Sequence, residues 1–167
     1  MYDRLTQSDI DKMQEEIDHR KLVVRPQILQ EVREARAQGD LSENFEYYAA
    51  RKAKGENDSR IAYLEDMIKT AIIIEDTSGE DEVGLNKRVT VRIEGEKDTE
   101  EYKIVTPVRS DSLHNKITAD SPLGKALMGH RAGDTVHVTV NETIGYDVTI
   151  VAVRNTGEET EDVLRSY

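Results

Sequence analysis

Cysteine is absent from the 167 residues, so the chain has no disulfide framework, no thiolate metal site and no thiol nucleophile. Tryptophan is missing too, and the single phenylalanine is Phe45. No long apolar run exists: the longest aliphatic stretch, Ala71-Ile72-Ile73-Ile74, is far too short to span a bilayer. The opening MYDRLTQSDIDK is polar and acidic, unlike a secretory leader. Together these features fit a reducing, cytoplasmic setting away from membranes. Positive charge is also in deficit, with 23 Lys and Arg against 34 Asp and Glu for a net charge of −11. A surface of that sign is repelled by phosphate backbones, which argues against independent binding to DNA or RNA.

What is present falls into two parts with different periods. Over residues 1–76 the apolar residues recur at helical spacing. Thr6 is placed to cap a first helix, Ile10, Met13 and Ile17 follow at a/d positions, and Val24, Ile28, Val32 and Ala35 continue the stripe. Pro26 removes a backbone donor and should kink or briefly interrupt this helix. Gly39 suits the left-handed residue that ends one. A second stripe, Phe45, Ala49, Ala53, Ile61, Leu64, Ile68 and Ala71, predicts an antiparallel partner and hence a helical hairpin. Residues 77–84 read as an acidic, Gly-containing linker. From 85 to 155 the period becomes two, with strands expected over 88–93, 101–105, 135–140 and 146–153. Between them SPLGKALMG (121–129) has a Ser cap, a Pro at the first helical position and a closing Gly. The expected class is α+β, with residues 156–167 as a solvated tail.

Between the two helical stripes lies GDLSENFEYYAA (39–50), where Asp40, Glu43 and Glu46 crowd a Gly-led turn. Asp40 and Glu43 have capping-box spacing for the second helix, with Ser42 as a competing cap. The same two carboxylates could instead contribute to a Mg²⁺ site, which two such groups cannot fill alone. The remaining ligands would then come from a partner, and metal-assisted phosphodiester hydrolysis is the natural reaction class. Arg33, Arg36, Arg51, Lys52 and Lys54 flank the turn; they read either as ion-paired helix surface or as a local RNA-facing patch. His19, His114, His130 and His137 are scattered without metal-ligand spacing, and no phosphate-binding loop or nucleophile elbow occurs.

GDLSENFEYYAA resembles the signature of the Gre family of bacterial transcript-cleavage factors. RPQILQEVREARAQ (25–38) is similar to the family's approach to that tip, and ADSPLGKALMGHRAGDTV (119–136) is similar to its second signature. The resemblance implies an N-terminal coiled-coil hairpin and a C-terminal FKBP-like domain that docks on RNA polymerase. It further implies that the hairpin enters the polymerase's secondary channel and promotes cleavage of backtracked nascent RNA near its 3′ end. The factor would be no stand-alone enzyme, and a monomer is expected. Carried over by position, Asp40 and Glu43 match the acidic pair that holds Mg²⁺ shared with polymerase, and Asn44, Glu46 and Tyr47 shape the tip. Arg33, Arg36, Arg51 and Lys52 would lie near RNA, and Asp120, Ser121 and Pro122 would meet the polymerase rim. One departure stands out: Gly55-Glu56-Asn57 replaces the family's apolar pair, which should remove apolar contacts midway along the hairpin.

Three other readings compete. A channel-plugging paralogue that inhibits without promoting cleavage would not need the acidic tip pair kept here. A prolyl isomerase needs an aromatic-lined pocket, and residues 84–167 offer only Tyr102, Tyr146 and Tyr167. A coiled-coil scaffold or chaperone would not need the second signature.

Overall fold

The computed structural model describes residues 3–39 and 44–166. The chain divides into a helical unit, Gln7–Ala71, and a sheet unit made of residues 1–6 and 72–167. The helical unit thus ends at Ala71, where 76 was expected, and the stretch 77–84, expected as a linker, belongs to the sheet unit.

In the helical unit α1 (Gln7–His19) runs through a π-helical turn (Arg20–Val24) into α2 (Arg25–Ala37), and α3 (Phe45–Lys69) returns alongside both. At ~1.5 Å per residue the return helix is about 37 Å long. The interruption expected at Pro26 is a widened turn one residue upstream of α2's first. Pro26 cannot donate to the carbonyl four residues back, and its ring crowds that turn. The wider turn relieves the crowding: the Arg25 amide reaches the Arg20 carbonyl, five residues back instead of four.

Met13, Ile17, Ile28 and Ala35 are buried from the first arm, and Ala50, Ile61 and Leu64 from the second. One expectation for α3 is corrected. Phe45 is 86% exposed and Ala49 is exposed, so the buried seam starts one residue later, at Ala50. Asn57, where apolar contact was expected to be lost, is buried in a polar layer. Arg20 donates to Asn57 Oδ1 at 3.0 Å, and Asn57 Nδ2 donates back to the Arg20 carbonyl at 3.3 Å. Glu16 accepts from Arg60 at 2.7 and 3.2 Å and from Arg20 at 2.8 Å. Burial alone would raise the Glu16 pKa, but the two guanidinium groups outweigh it and hold the carboxyl below its ordinary value.

The sheet unit has five strands in the order β5-β4-β3-β7-β6, namely β3 (Lys87–Ile93), β4 (Glu100–Ile104), β5 (Lys116–Ile117), β6 (Thr135–Thr139) and β7 (Gly145–Asn155). All neighbours are antiparallel except β4 and β5. Alternation puts Val89, Val91, Val136, Val138, Val148 and Ile150 on one face, where Ile104, Val83 and Leu127 of α4 (Pro122–Leu127) complete the core. A separate two-residue parallel pair, β1 (Arg4–Leu5) with β2 (Ile72–Ile73), joins the segments flanking the helical unit in sequence.

Residues 77–84 are folded onto this unit instead of hanging as a spacer. Val83 is fully buried and its amide donates to the His130 carbonyl at 2.8 Å. Lys87, 1% exposed, donates to Ser78 Oγ and the Glu82 carbonyl at 2.8 Å each, and to the Gly79 carbonyl. A buried ammonium must satisfy its three donors, and this loop supplies the three acceptors. The tail is a second correction: Asp162 is 1% exposed and ion-paired, so residues 156–166 are not simply solvated.

Candidate functional site at the hairpin turn

The first arm ends at Ala37, and Gly39 follows with φ +112°, the left-handed conformation expected of it. The second arm starts at Phe45 behind Asn44, whose backbone is extended (φ −92°, ψ 91°) and whose Oδ1 accepts from the Tyr47 amide at 3.0 Å. Asn44 Nδ2 donates to the Ala35 carbonyl at 2.6 Å. The cap is thus Asn44, and not the expected pairing of Asp40 with Glu43 or its competitor Ser42. The reason is chemical: an amide both accepts and donates, so Asn44 satisfies a free N–H of α3 and adds a second donor to the Ala35 carbonyl of α2, which also accepts from the Gln38 amide at 3.3 Å. A carboxylate only accepts. Asp40 and Glu43 themselves, with Leu41 and Ser42, lie outside the described residues.

The other tip residues take distinct places. Tyr47 is half-buried, with the Arg36 guanidinium 5.9 Å from its ring centroid and Tyr48 meeting it edge-on at 5.6 Å. Arg36 is therefore engaged with the opposite arm. Glu46 sits in the first turn of α3, where the helix dipole favours an acid. With Glu31 and Glu34 it lines a shallow cleft of about 360 Å³ beside Ala35 and Ala50. Arg33, Arg51 and Lys52 are exposed, and Lys52 lies 3.8 Å from Glu56, a contact of little energetic weight. Lys54 is paired with Asp58 at 3.0 Å. Sequence reasoning missed Phe45 as an exposed aromatic one residue from the cap; the Asn–Phe junction would have shown it had Asn44 been taken as the cap.

Asp120, Ser121 and Pro122 belong to the sheet unit. Ser121 Oγ accepts from the Gly124 amide at 3.1 Å and donates to the Thr118 carbonyl at 2.7 Å, and Pro122 opens α4. Gly124 is required here, since a Cβ would lie 2.0 Å from the Thr118 oxygen. The turn is held by its own hydrogen bonds, with Asp120 exposed on it.

Among the described residues no three His, Asp or Glu gather as a metal centre, and no helix is long and apolar enough to cross a membrane. Against known proteins, residues 4–73 match the N-terminal domain of GreA/GreB transcription elongation factors and residues 77–155 match their C-terminal domain. The chain belongs to the GreA/GreB family of transcription elongation factors. Its relatives agree. Transcription elongation factor GreA of Thermotoga neapolitana is 42% identical over 81% of this chain and 86% of its own. The GreA of Staphylococcus saprophyticus is 39% identical over 90% of this chain and 95% of its own. Among solved structures, GreA factor homologue 1 of Thermus thermophilus is 25% identical, covers 90% of this chain and 97% of its own, and gives a TM-score of 0.42. In this family setting the chain is an elongation factor whose working partner is RNA polymerase, and both expected signatures fall inside the matched domains.

Proposed function

We propose that the hairpin enters the secondary channel of a bacterial RNA polymerase that has backtracked, and that Asp40 and Glu43 promote Mg²⁺-dependent cleavage of the extruded RNA 3′ end. The observation that carries this reading is the Asn44 clasp. Because Asn44 both caps α3 and binds Ala35, the hairpin turn does not need Asp40 or Glu43 as caps. The two carboxylates offer hard oxygen donors of the kind Mg²⁺ takes, and they are too few to complete a site, which fits an ion shared with the polymerase. Such an ion supplies a water activated for attack on a phosphodiester. The chain's own part is to supply the two acids between the hairpin arms. Tyr47 and Arg36 bridge the two arms beside them in sequence, while exposed Arg33, Arg51 and Lys52 offset RNA charge locally. Asp120, Ser121 and Pro122 would meet the polymerase rim, and the work would take place in the cytoplasm.

The test is a stalled, backtracked elongation complex incubated with Mg²⁺ and the purified chain. Short RNA fragments carrying the 3′ end should be released faster than by polymerase alone, and elongation should then resume. Release no faster than that of polymerase alone contradicts the proposal.

A further inference from the structure

Four cations from four separate segments converge on one side of the sheet unit: Arg88 of β3, Lys103 of β4, Arg109 of the 3₁₀ turn Pro107–Arg109, and Lys116 of β5. Lys103, Arg109 and Lys116 are only 1%, 5% and 7% exposed. Buried cations without anions are strongly destabilising, so the pocket demands an acidic occupant. In this chain the occupant is its own segment 157–162. Lys103 Nζ donates to the Gly157 carbonyl at 2.7 Å, to Glu159 at 3.0 Å and to the Asp162 carboxylate. Arg109 donates to the Asp162 carbonyl and pairs with Glu158 at 2.8 Å. Lys116 donates to the Glu161 carbonyl and lies 3.2 Å from Asp162 Oδ1. Arg88 holds Glu159 at 2.8 Å and Glu161 at 3.0 Å.

Carboxylates and backbone carbonyls are therefore read together, which recognises a peptide and not merely negative charge. The segment presents itself as a turn, with the Asp162 amide bonded to the Glu159 carbonyl and the Glu159 amide to Asp162 Oδ2, each at 2.9 Å. All four cations lie within residues 77–155, the span of the family domain, whereas the occupant follows that span. Exposed Leu113 and Val163 line an adjoining cleft of about 520 Å³, with room for neighbouring residues of an incoming chain.

We infer that this pocket is a receptor for acidic peptides of the Glu-Glu-x-Glu-Asp kind, closed in cis by residues 157–162 and opened to an acidic segment of a partner protein when they leave. The inference stands apart from the role of the hairpin turn and does not need it.

The test uses a labelled peptide of sequence NTGEETEDVLRSY, the full-length chain, and a full-length variant carrying Glu158→Gln, Glu159→Gln, Glu161→Gln and Asp162→Asn. A short tether gives the resident segment an effective concentration of about 1 mM, so a peptide with a dissociation constant of ~0.1 mM for the open site should bind wild type roughly tenfold more weakly than the variant. Binding to the variant should weaken with salt and be lost on adding Lys103→Gln. Equal, weak binding by wild type and variant overturns the inference. A single-stranded oligonucleotide that binds the variant as tightly as the peptide also overturns it, in favour of a generic polyanion surface. Should the variant melt, a full chain with a protease site inserted between Asn155 and Thr156, cut after folding, gives the same answer. Once dialysis has removed the cut segment, the labelled peptide should bind the remaining chain at about 0.1 mM, as it binds the variant, and no binding at millimolar peptide rejects the receptor.

Discussion

Asn44 Nδ2 donates to the Ala35 carbonyl at 2.6 Å while Oδ1 of the same side chain accepts from the Tyr47 amide at 3.0 Å. One amide thus serves the end of α2 and the start of α3, the two helices between which Asp40 and Glu43 lie in sequence. Asn44→Ala should lose both bonds, about 1 kcal/mol for the cap and about 1 kcal/mol for the cross-arm bond. Asn44→Asp keeps the cap but sets a carboxylate against the Ala35 oxygen, so it should recover no more than the cap's share. Urea denaturation of the two variants checks this, and equal stability of both with wild type would remove the clasp from the account.

The polar layer midway along the hairpin makes a second prediction. Asn57→Ala removes one hydrogen bond from the Arg20 carbonyl, which keeps the Arg25 amide, and one from its guanidinium, which keeps Glu16, at a cost of about 0.5–1.5 kcal/mol for each bond. Glu16 and Arg60 should couple by about 0.5–3 kcal/mol in a double-mutant cycle with Glu16→Gln and Arg60→Gln. Coupling indistinguishable from zero would reduce this contact to an ordinary surface pair.

Acid should loosen both units by the same sign of linkage. The Glu16 carboxyl is held below its ordinary 4.5, burial notwithstanding, by Arg60 and Arg20; that of Asp162 is held below its ordinary 3.8, burial notwithstanding, by Lys103, the Glu159 amide and Lys116. A carboxyl whose folded pKa is depressed contributes stability above its unfolded pKa and loses it as pH falls through the folded one. Melting temperature should therefore fall as pH drops below about 4.5, and Glu16→Gln with Asp162→Asn should flatten that fall. An unchanged acid profile in the double variant would show that other carboxylates govern it.

Sequence period made most of the fold legible. The expected strands over 88–93, 101–105, 135–140 and 146–153 each agree with an observed one to within two residues, and the Ser121 cap and Gly39 turn are where their chemistry places them. Three kinds of feature were not legible. Two-residue strands such as β1, β2 and β5 are too short to show a period. The choice of cap among Asp40, Ser42 and Asn44 was settled by a contact to Ala35, nine residues back, which local spacing cannot weigh. The acidic tail read as solvated because its cations, Lys103 and Lys116, lie about 50 residues earlier and pair only in three dimensions. Of the candidate site, the residues that brace the tip could be placed, while the side chains that would do the chemistry rest on pattern.

The free chain should be inert towards RNA. Two tip carboxylates make an incomplete ion site, so Mg²⁺ should bind at about millimolar concentration or more weakly, as calorimetry can read. RNA hydrolysis by the purified chain, with polymerase rigorously removed, would contradict a shared site.

The most direct test of the central claim pairs melting with cleavage for Asp40→Asn and Glu43→Gln. Since Asn44 supplies the cap, neither substitution should shift the melt by more than a few tenths of a kcal/mol. Removing either charge should nevertheless slow polymerase-dependent RNA cleavage by roughly a hundredfold or more, while polymerase binding is retained. The account predicts wild-type melting with cleavage all but lost; wild-type melting with wild-type cleavage would contradict it.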